Sequence, residues 1–160
     1  MSEFVPDGFV PPTQLLAPLF RLEPLGPQHN DADLAAWSSS VEHIRATPGY
    51  PDGNWPPLEG MSLEANEADL TRHAADFAAR TGFTFTVLDP DDNDVIGCVY
   101  FYPTAPPDYD VTVQSWVTAA NADLDEPLAD AVAQWLAADR PWDRVDRCGR
   151  GGPESRHRQA

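Results

Sequence analysis

Three consecutive segments of the chain have the hydrophobic patterns of β-strands: residues 83–88, 95–102 and 111–117. The first and third alternate apolar with polar residues, which is typical of strands with one buried face. The second is apolar almost throughout and predicts a central strand that is buried on both faces. An aspartate-rich run, Asp89 to Asp94, separates the first two strands and predicts a turn.

Apolar residues at helical spacing predict three helices. The first begins at Asn30 or Asp31 and has its apolar face at Leu34, Trp37, Val41 and Ile44. The second extends from about Ser62 to Arg80, with Gly82 as its stop. The third begins at Asp123 or Asp125, has Pro127 in its first turn and buries an apolar face that includes Trp135 and Leu136. Short strands are predicted over Leu19–Leu25 and Val145–Cys148.

This order of elements predicts an α+β fold with three layers. Three consecutive strands with short links form an antiparallel meander, and the helix before the last strand requires a parallel βαβ crossover. The central sheet is therefore mixed, with helices on both faces. We expect an extended N-terminal arm at residues 1–18, a single domain at 19–148 and a disordered tail at 149–160.

The charge of the chain excludes some partners. The net charge is −16, and the chain contains ten arginines but no lysine. A field of this sign repels phosphate backbones, so we expect no binding of nucleic acid. The absence of lysine has two explanations, GC-rich coding or adaptation of the surface to salt. No apolar stretch is long enough for a membrane span and the N-terminus lacks the pattern of a signal peptide, so a cytoplasmic location is expected.

The two strands around the aspartate-rich turn resemble those of a known family. Phe83-Thr-Phe-Thr-Val-Leu, the turn, and Val95-Ile-Gly-Cys-Val-Tyr-Phe are similar to the central hairpin of the Gcn5-related N-acetyltransferase (GNAT) superfamily. The element order from Leu19 to Cys148 resembles the beginning and middle of that fold. The resemblance is to a divergent, C-terminally truncated member, because the family has a further helix and strand pair where this chain has only 15 residues after Val145.

The resemblance implies a binding site for acetyl-CoA after the 111–117 strand, where backbone amides at the start of a helix hold the pyrophosphate. The implied cofactor-binding residues are Trp116, Val117, Thr118, Ala119, Ala120, Asn121 and Ala122. The alanines permit close approach of a ligand, but the glycines and the Arg or Gln of the family motif are absent. Asp123, Asp125 and Glu126 place carboxylates beside the implied pyrophosphate site, although acids also suit a helix N-terminus as ordinary caps.

Acetylation of an amine requires a base that removes a proton from the ammonium group. Asp108 and Asp110, before the 111–117 strand, are candidate catalytic residues, and Glu42 and His43 on the first helix are further candidates. A solvated loop is the favoured explanation of the two aspartates. No His, Cys or Asp spacing predicts a metal site.

Tyr50 and Trp55 lie in the loop between the first two helices, which overhangs the acceptor site in the GNAT family. They are therefore candidate substrate-binding residues, and packing of their rings over an edge of the core is the alternative.

Two functions are compatible with these patterns. The first is an acyl-CoA-dependent N-acetyltransferase that acts on a small amine. The alternative is a non-catalytic protein of the same fold that serves as a binding or dimerisation module and has lost acetyl-CoA binding of the family type. An uncovered sheet edge at the last strand and the apolar residues of the arm also predict a homodimer. The alternative is an arm that folds back on its own chain and leaves a monomer.

Overall fold

The computed structural model describes residues 4–5, 8–11, 14–47, 56–103, 109–139 and 142–147. The strands are β1 (Leu15–Ala17), β2 (Phe20–Pro24), β3 (Phe83–Leu88), β4 (Val95–Tyr102), β5 (Val111–Val117) and β6 (Val145–Asp146). The helices are α1 (Asn30–Ser38), α2 (Val41–Arg45), α3 (Leu63–Ala79) and α4 (Asp125–Asp139), and 3-10 turns occupy Pro27–His29 and Ala119–Leu124. The three central strands have the bounds that the sequence predicts, but β3 is buried along its whole length rather than on one face. Among the described residues, no helix combines the length and the apolar character needed to cross a membrane.

The six strands form one sheet whose spatial order is the order of the chain, from β1 to β6. Neighbouring strands are antiparallel except for β5 and β6, which are parallel and are connected through α4. The predicted mixed sheet, with a meander and one βαβ crossover, is confirmed. Strand β1 was not predicted, because three residues between prolines form a strand only through their pairing with β2.

Helices cover both faces of the sheet. On one face, Leu128 and Val132 of α4 belong to a core cluster that contains Phe85 and Val99. On the other face, Trp37 of α1 and Leu70 of α3 pack in a second cluster with Cys98 and Trp116. Cys98 and Val99 point to opposite faces because side chains alternate along a strand. The second face carries the polar groups described below.

The helix predicted to continue through Val41 is interrupted at two serines. The Ser39 hydroxyl donates to the Ala36 carbonyl at 3.0 Å, and the Ser40 amide donates to the Trp37 carbonyl at 3.0 Å. Hydroxyl groups that bond back to the helix compete with its regular hydrogen bonds. The chain therefore forms two helices, α1 and α2, and the side chain of Ser40 is directed towards the segment after β5.

Helix α3 ends at Ala79, close to the predicted end at Arg80, but its C-cap is Arg80 and not Gly82. Arg80 has a positive φ of 65°, and its guanidinium donates to the Phe9 carbonyl at 2.8 Å. Gly82 serves a different purpose, because a Cβ at this position would lie 2.1 Å from Cε1 of Tyr102. The glycine leaves room for the Tyr102 ring, whose hydroxyl reaches α3.

The described part of the N-terminal arm packs on the sheet of its own chain. Val5 is 2% exposed, and the ring of Phe4 lies 4.9 Å from that of Trp142, centroid to centroid. The indole nitrogen of Trp142 donates to the Phe4 carbonyl at 2.9 Å. These contacts attach the arm to the region just before β6.

Candidate functional site

A pocket of about 220 Å³ lies between α1, α3 and the second face of the sheet. We call it the α3 pocket; it is lined by Leu25, Asp33, Asn66, Asp69, Leu70, Arg72, His73, Tyr100 and Gln114. Tyr100 of β4 and Gln114 of β5 are cross-strand partners, so their side chains share one face. A water occupies about 30 Å³ of liquid, so the pocket suits a ligand of a few heavy atoms.

His73 is the central polar residue of this pocket. Its Nδ1 lies 2.8 Å from the Tyr102 hydroxyl and 3.0 Å from Oγ1 of Thr84. The Tyr102 hydroxyl in turn donates to a carboxylate oxygen of Asp76 at 2.9 Å. Burial, assisted by the neighbouring Arg72 cation, lowers the pKa of His73 and keeps its imidazole neutral at pH 7.

Tyr102 is held in its protonated form by the same surroundings. Burial and the hydrogen bond to Asp76 raise the pKa of Tyr102 to about 12. The phenol therefore donates one proton, to Asp76, throughout the physiological pH range. This fixes the direction of the hydrogen bonds from His73 through Tyr102 to Asp76.

Asp33 contributes a buried carboxylate to the pocket. It is 4% exposed, and its Oδ2 accepts from the Asn66 amide at 3.2 Å. Asn66 is held in turn by Asn30 at 2.8 Å and by the indole of Trp37 at 3.1 Å. Burial raises the pKa of Asp33 to about 6, because a single amide donor does not replace the water lost. Carboxylates and histidines with shifted pKa values in a cleft are typical of functional sites.

In the turn after β5, two backbone amides that a pyrophosphate site would need free are bonded within the protein. The Ala119 amide donates to the Ser40 hydroxyl at 2.8 Å, and the Asn121 amide donates to the Thr118 carbonyl at 2.9 Å. Trp116 and Val117 are completely buried, whereas Ala119, Ala120 and Ala122 are exposed. Small exposed residues fit the close approach of a ligand, but two of the implied phosphate-binding amides already have partners within the protein.

Carboxylates surround the same turn. A second cavity of about 460 Å³ is lined by Asp123, Asp125 and Glu126 from the start of α4 and by His43 from α2. Nε2 of His43 is buried and has no hydrogen-bond partner in the described part of the chain. The negative charge here opposes an anionic ligand, so this turn does not fit a pyrophosphate in the manner that the GNAT resemblance implies.

The other sequence-predicted residues are not near the α3 pocket or lie outside the described residues. Asp110 accepts from the Arg144 guanidinium at 2.7 Å and from the Arg144 amide at 3.0 Å. These donors lower the pKa of Asp110, which makes it a poor base and a link between β5 and the segment before β6. Asp108, Tyr50, Trp55, Cys148 and the predicted tail lie outside the described residues.

Sequence reasoning missed His73, Asp33 and Tyr102 as site residues. They lie on three different elements, and their proximity depends on the packing of α1 and α3 on β4. One indication was present in the sequence, because His73 lies between Leu70 and Phe77 at helical spacing and is therefore directed towards the buried side of α3.

The sequence matches no protein-family model and no curated protein. The structure, by contrast, is similar to solved acetyltransferases. The acetyltransferase from Salmonella typhimurium that modifies the N-terminal serine of ribosomal protein L7/L12 matches with a TM-score of 0.60 and 11% identity, over 81% of this chain and 70% of its own. The ribosomal-protein-S5-alanine acetyltransferase from Vibrio fischeri matches with a TM-score of 0.53 and 13% identity, over 84% and 72%. The microcin C7 self-immunity acetyltransferase MccE, solved with acetyl-CoA and AMP, matches with a TM-score of 0.53 and 9% identity, over 76% and 63%.

These similarities establish the fold. The chain has the fold of the Gcn5-related N-acetyltransferases, as the hairpin around Asp89–Asp94 and the element order predicted. At identities this low, the fold does not carry the activity with it.

Proposed function

We propose that the protein is an N-acetyltransferase that moves an acetyl group from acetyl-CoA to a small amine bound in the α3 pocket. The observation that carries the proposal is this pocket: it combines a neutral histidine with a buried carboxylate, in a fold whose solved neighbours are acetyltransferases. Neighbours of this fold have been solved with CoA or acetyl-CoA.

The charges of the pocket favour a cationic acceptor. Asp33 and Asp69 contribute carboxylates to the pocket. The positive charge of Arg72 is partly compensated, because its guanidinium lies 3.5 Å from Asp69 and 3.8 Å from Asp76. An ammonium group in the pocket therefore meets a net negative surrounding. Leu25, Leu70 and the Tyr100 ring supply apolar surface for a short carbon chain.

The acyl donor is expected to be held through its thioester end rather than through its phosphates. In the described residues, β6 pairs with β5 only at Val111 and Thr112, so the described part of β6 does not continue alongside Val113–Val117. A pantetheine arm beside that half of β5 would bring a thioester to the level of Gln114. The carboxylates of Asp123, Asp125 and Glu126, beside Ala122, do not neutralise the negative charge of a pyrophosphate.

Direct turnover tests this function. Release of the CoA thiol is followed with acetyl-CoA and a panel of small amines: methylamine, ethanolamine, putrescine and glycinamide. We expect at least one to be acetylated, with mass spectrometry showing the N-acetyl product. An absence of thiol release above the hydrolysis background with every amine, together with no binding of acetyl-CoA, would contradict the proposal.

The dependence of binding on salt tests how the donor is held. Because the protein and the pyrophosphate are both negative, screening by salt should tighten acetyl-CoA binding, the reverse of the usual behaviour of phosphate ligands. S-acetylpantetheine, which has no phosphate, is the matched control and should bind with little salt dependence. Replacement of Asp123 and Asp125 by Asn should tighten acetyl-CoA alone, since Asn remains a good helix cap. Weakening of acetyl-CoA by salt would refute this part of the proposal.

A second function is favoured by one observation, the bonding of the Ala119 and Asn121 amides within the protein. A non-catalytic binding module of this fold would keep its core and dispense with phosphate-binding amides. This alternative predicts that neither acetyl-CoA nor S-acetylpantetheine produces heat in calorimetry at millimolar concentration. Heat from either compound would exclude it.

A further inference from the structure

We propose that Nε2 of His73 is the base that takes a proton from the ammonium group of an amine bound in the α3 pocket. The inference rests on the proposed function and adds to it a specific proton acceptor, which the residues considered from the sequence did not include. The geometry around the imidazole carries it.

The hydrogen bonds of Tyr102 determine which imidazole nitrogen carries the proton. A phenol has a single hydroxyl proton, and that of Tyr102 is donated to Asp76 at 2.9 Å. Nδ1 of His73, 2.8 Å from the same oxygen, can therefore bond to it only as a donor. In the neutral ring the proton resides on Nδ1, and Nε2 has a lone pair.

Nε2 is the nitrogen that remains available to a ligand. Both hydrogen bonds of the ring use Nδ1, and no described residue bonds to Nε2 of His73. The His73 side chain is only half-buried, where it faces the α3 pocket. Because His73 lines the α3 pocket, an ammonium group there has access to this lone pair.

The proton transfer is balanced within the pocket. One N–H bond of the ammonium breaks, its electron pair remains on the amine nitrogen, and the proton forms a bond with Nε2. The resulting imidazolium keeps its Nδ1–H bond to Tyr102, whose hydroxyl remains directed at the Asp76 carboxylate. This hydrogen-bonded carboxylate stabilises the positive charge, so Tyr102 and Asp76 are positioning residues for the base. The imidazolium then releases its proton to solvent.

Several titratable groups face the ring from the elements packed around it. They are Asp69, Arg72 and Asp76 on α3, Asp33 of α1 in the same pocket, and Tyr100 and Tyr102 on β4. Burial and Arg72 lower the pKa of His73, and Asp69 and Asp76 raise it. The first two effects are larger, which leaves the base unprotonated and ready to accept a proton at pH 7.

The protonation state can be measured without any substrate. In long-range nitrogen–proton NMR spectra at pH 7.5, His73 should show a protonated Nδ1 and a bare Nε2. The His73→Gln variant identifies the signals, and Tyr102→Phe should lower the share of the Nδ1–H tautomer, because only the Thr84 hydroxyl then remains to accept from Nδ1. This measurement tests the tautomer, and turnover tests the catalytic role. A protonated Nε2 in the wild type would overturn the assignment.

Turnover of the best amine of the panel gives the second test. His73→Gln should lower kcat/KM by about 100-fold or more and remove the acidic limb of its pH profile, while acetyl-CoA binding stays unchanged. Tyr102→Phe should retain the limb but move it to lower pH, because the imidazolium loses its link to Asp76. If the wild type is active and His73→Gln has the same rate and the same pH profile, the role of His73 as the base is refuted, but the proposed acetyltransferase function is not. Inactive wild type that also fails to bind acetyl-CoA would refute the proposed function, and the catalytic role of His73 with it.

Discussion

Replacement of Asp33 by Asn should stabilise the protein at neutral pH by an amount that the structure allows us to estimate. Burial raises the pKa of Asp33 from 3.8 to about 6. This is a change of about 2 pH units at about 1.4 kcal/mol each, so ionised Asp33 costs about 3 kcal/mol of folding free energy at pH 7.5. The asparagine side chain would carry no charge and would retain an oxygen that accepts from Asn66.

The pH dependence of this cost gives the prediction its sign. A carboxyl group with a raised pKa binds its proton more tightly in the folded than in the unfolded state, so its ionisation opposes folding. The cost is absent below pH 3.8, grows as the pH rises from 3.8 to about 6, and is complete above that range. Asp33→Asn should therefore exceed the wild type in stability at pH 7.5 and equal it below pH 4.

Urea unfolding at pH 3.5 and pH 7.5 measures both differences. Asp31→Asn, on the exposed side of the same helix, is the matched control and should stay within about 0.5 kcal/mol of the wild type at both pH values. An Asp33→Asn variant that is no more stable at pH 7.5 would refute the idea that the carboxylate is uncompensated. The same variant should weaken binding of the amine, since stability would be gained by removing a charge that serves the pocket.

Three further outcomes follow from the structure. Asp110→Ala should destabilise the protein by about 1–2 kcal/mol, because the hydrogen bonds to Arg144 are lost. It should leave the pH profile of turnover unchanged. Loss of the acidic limb of that profile would show that Asp110 is a base after all. Trp135 is only half-buried beside Phe101, so Trp135→Ala should lower the free energy of unfolding by about 1–3 kcal/mol. Leu128→Ala, at a completely buried site, should lower it by more. Urea melts that reverse this order would show that the packing of α4 differs. The homodimer prediction now rests on the sheet edge at β6 alone, because the described part of the arm packs on its own chain. Sedimentation at micromolar concentration tests it, and a single species at the 17.5 kDa chain mass would refute it.

The strands could be predicted because their patterns are local. Alternation over 83–88, the apolar run 95–102 and the polar turn between them each determine structure within a few residues. Helix α1 could not be delimited in this way, since its end at Ser38 is followed by the bond between Ser40 and the Ala119 amide, which joins positions 79 residues apart. The arm likewise finds its place only through contacts with Trp142 and the sheet.

The candidate site was harder to predict than the fold. Asp33 resembles any acid near a helix start until α3 buries it, and its shifted pKa is a property of the packed structure. His73 and Tyr102 are 29 residues apart and meet only across the contact between α3 and β4. The motif that the resemblance supplied directed attention to residues 116–122, where the structure engages the Ala119 and Asn121 amides. The sequence therefore predicted the sheet, but not that His73, Asp33 and Tyr102 meet on one of its faces.

Mapping of acetyl-CoA binding on the protein by amide NMR tests the central claim most directly. Addition of acetyl-CoA at moderate salt should shift the amides of Val113–Val117, and subsequent addition of the amine that is turned over best should shift His73 and Tyr100. Shifts of this kind would place the donor beside β5 and the acceptor in the α3 pocket. Unchanged spectra at millimolar acetyl-CoA, at low and at high salt, would contradict the claim that this chain uses its fold for acetyl transfer.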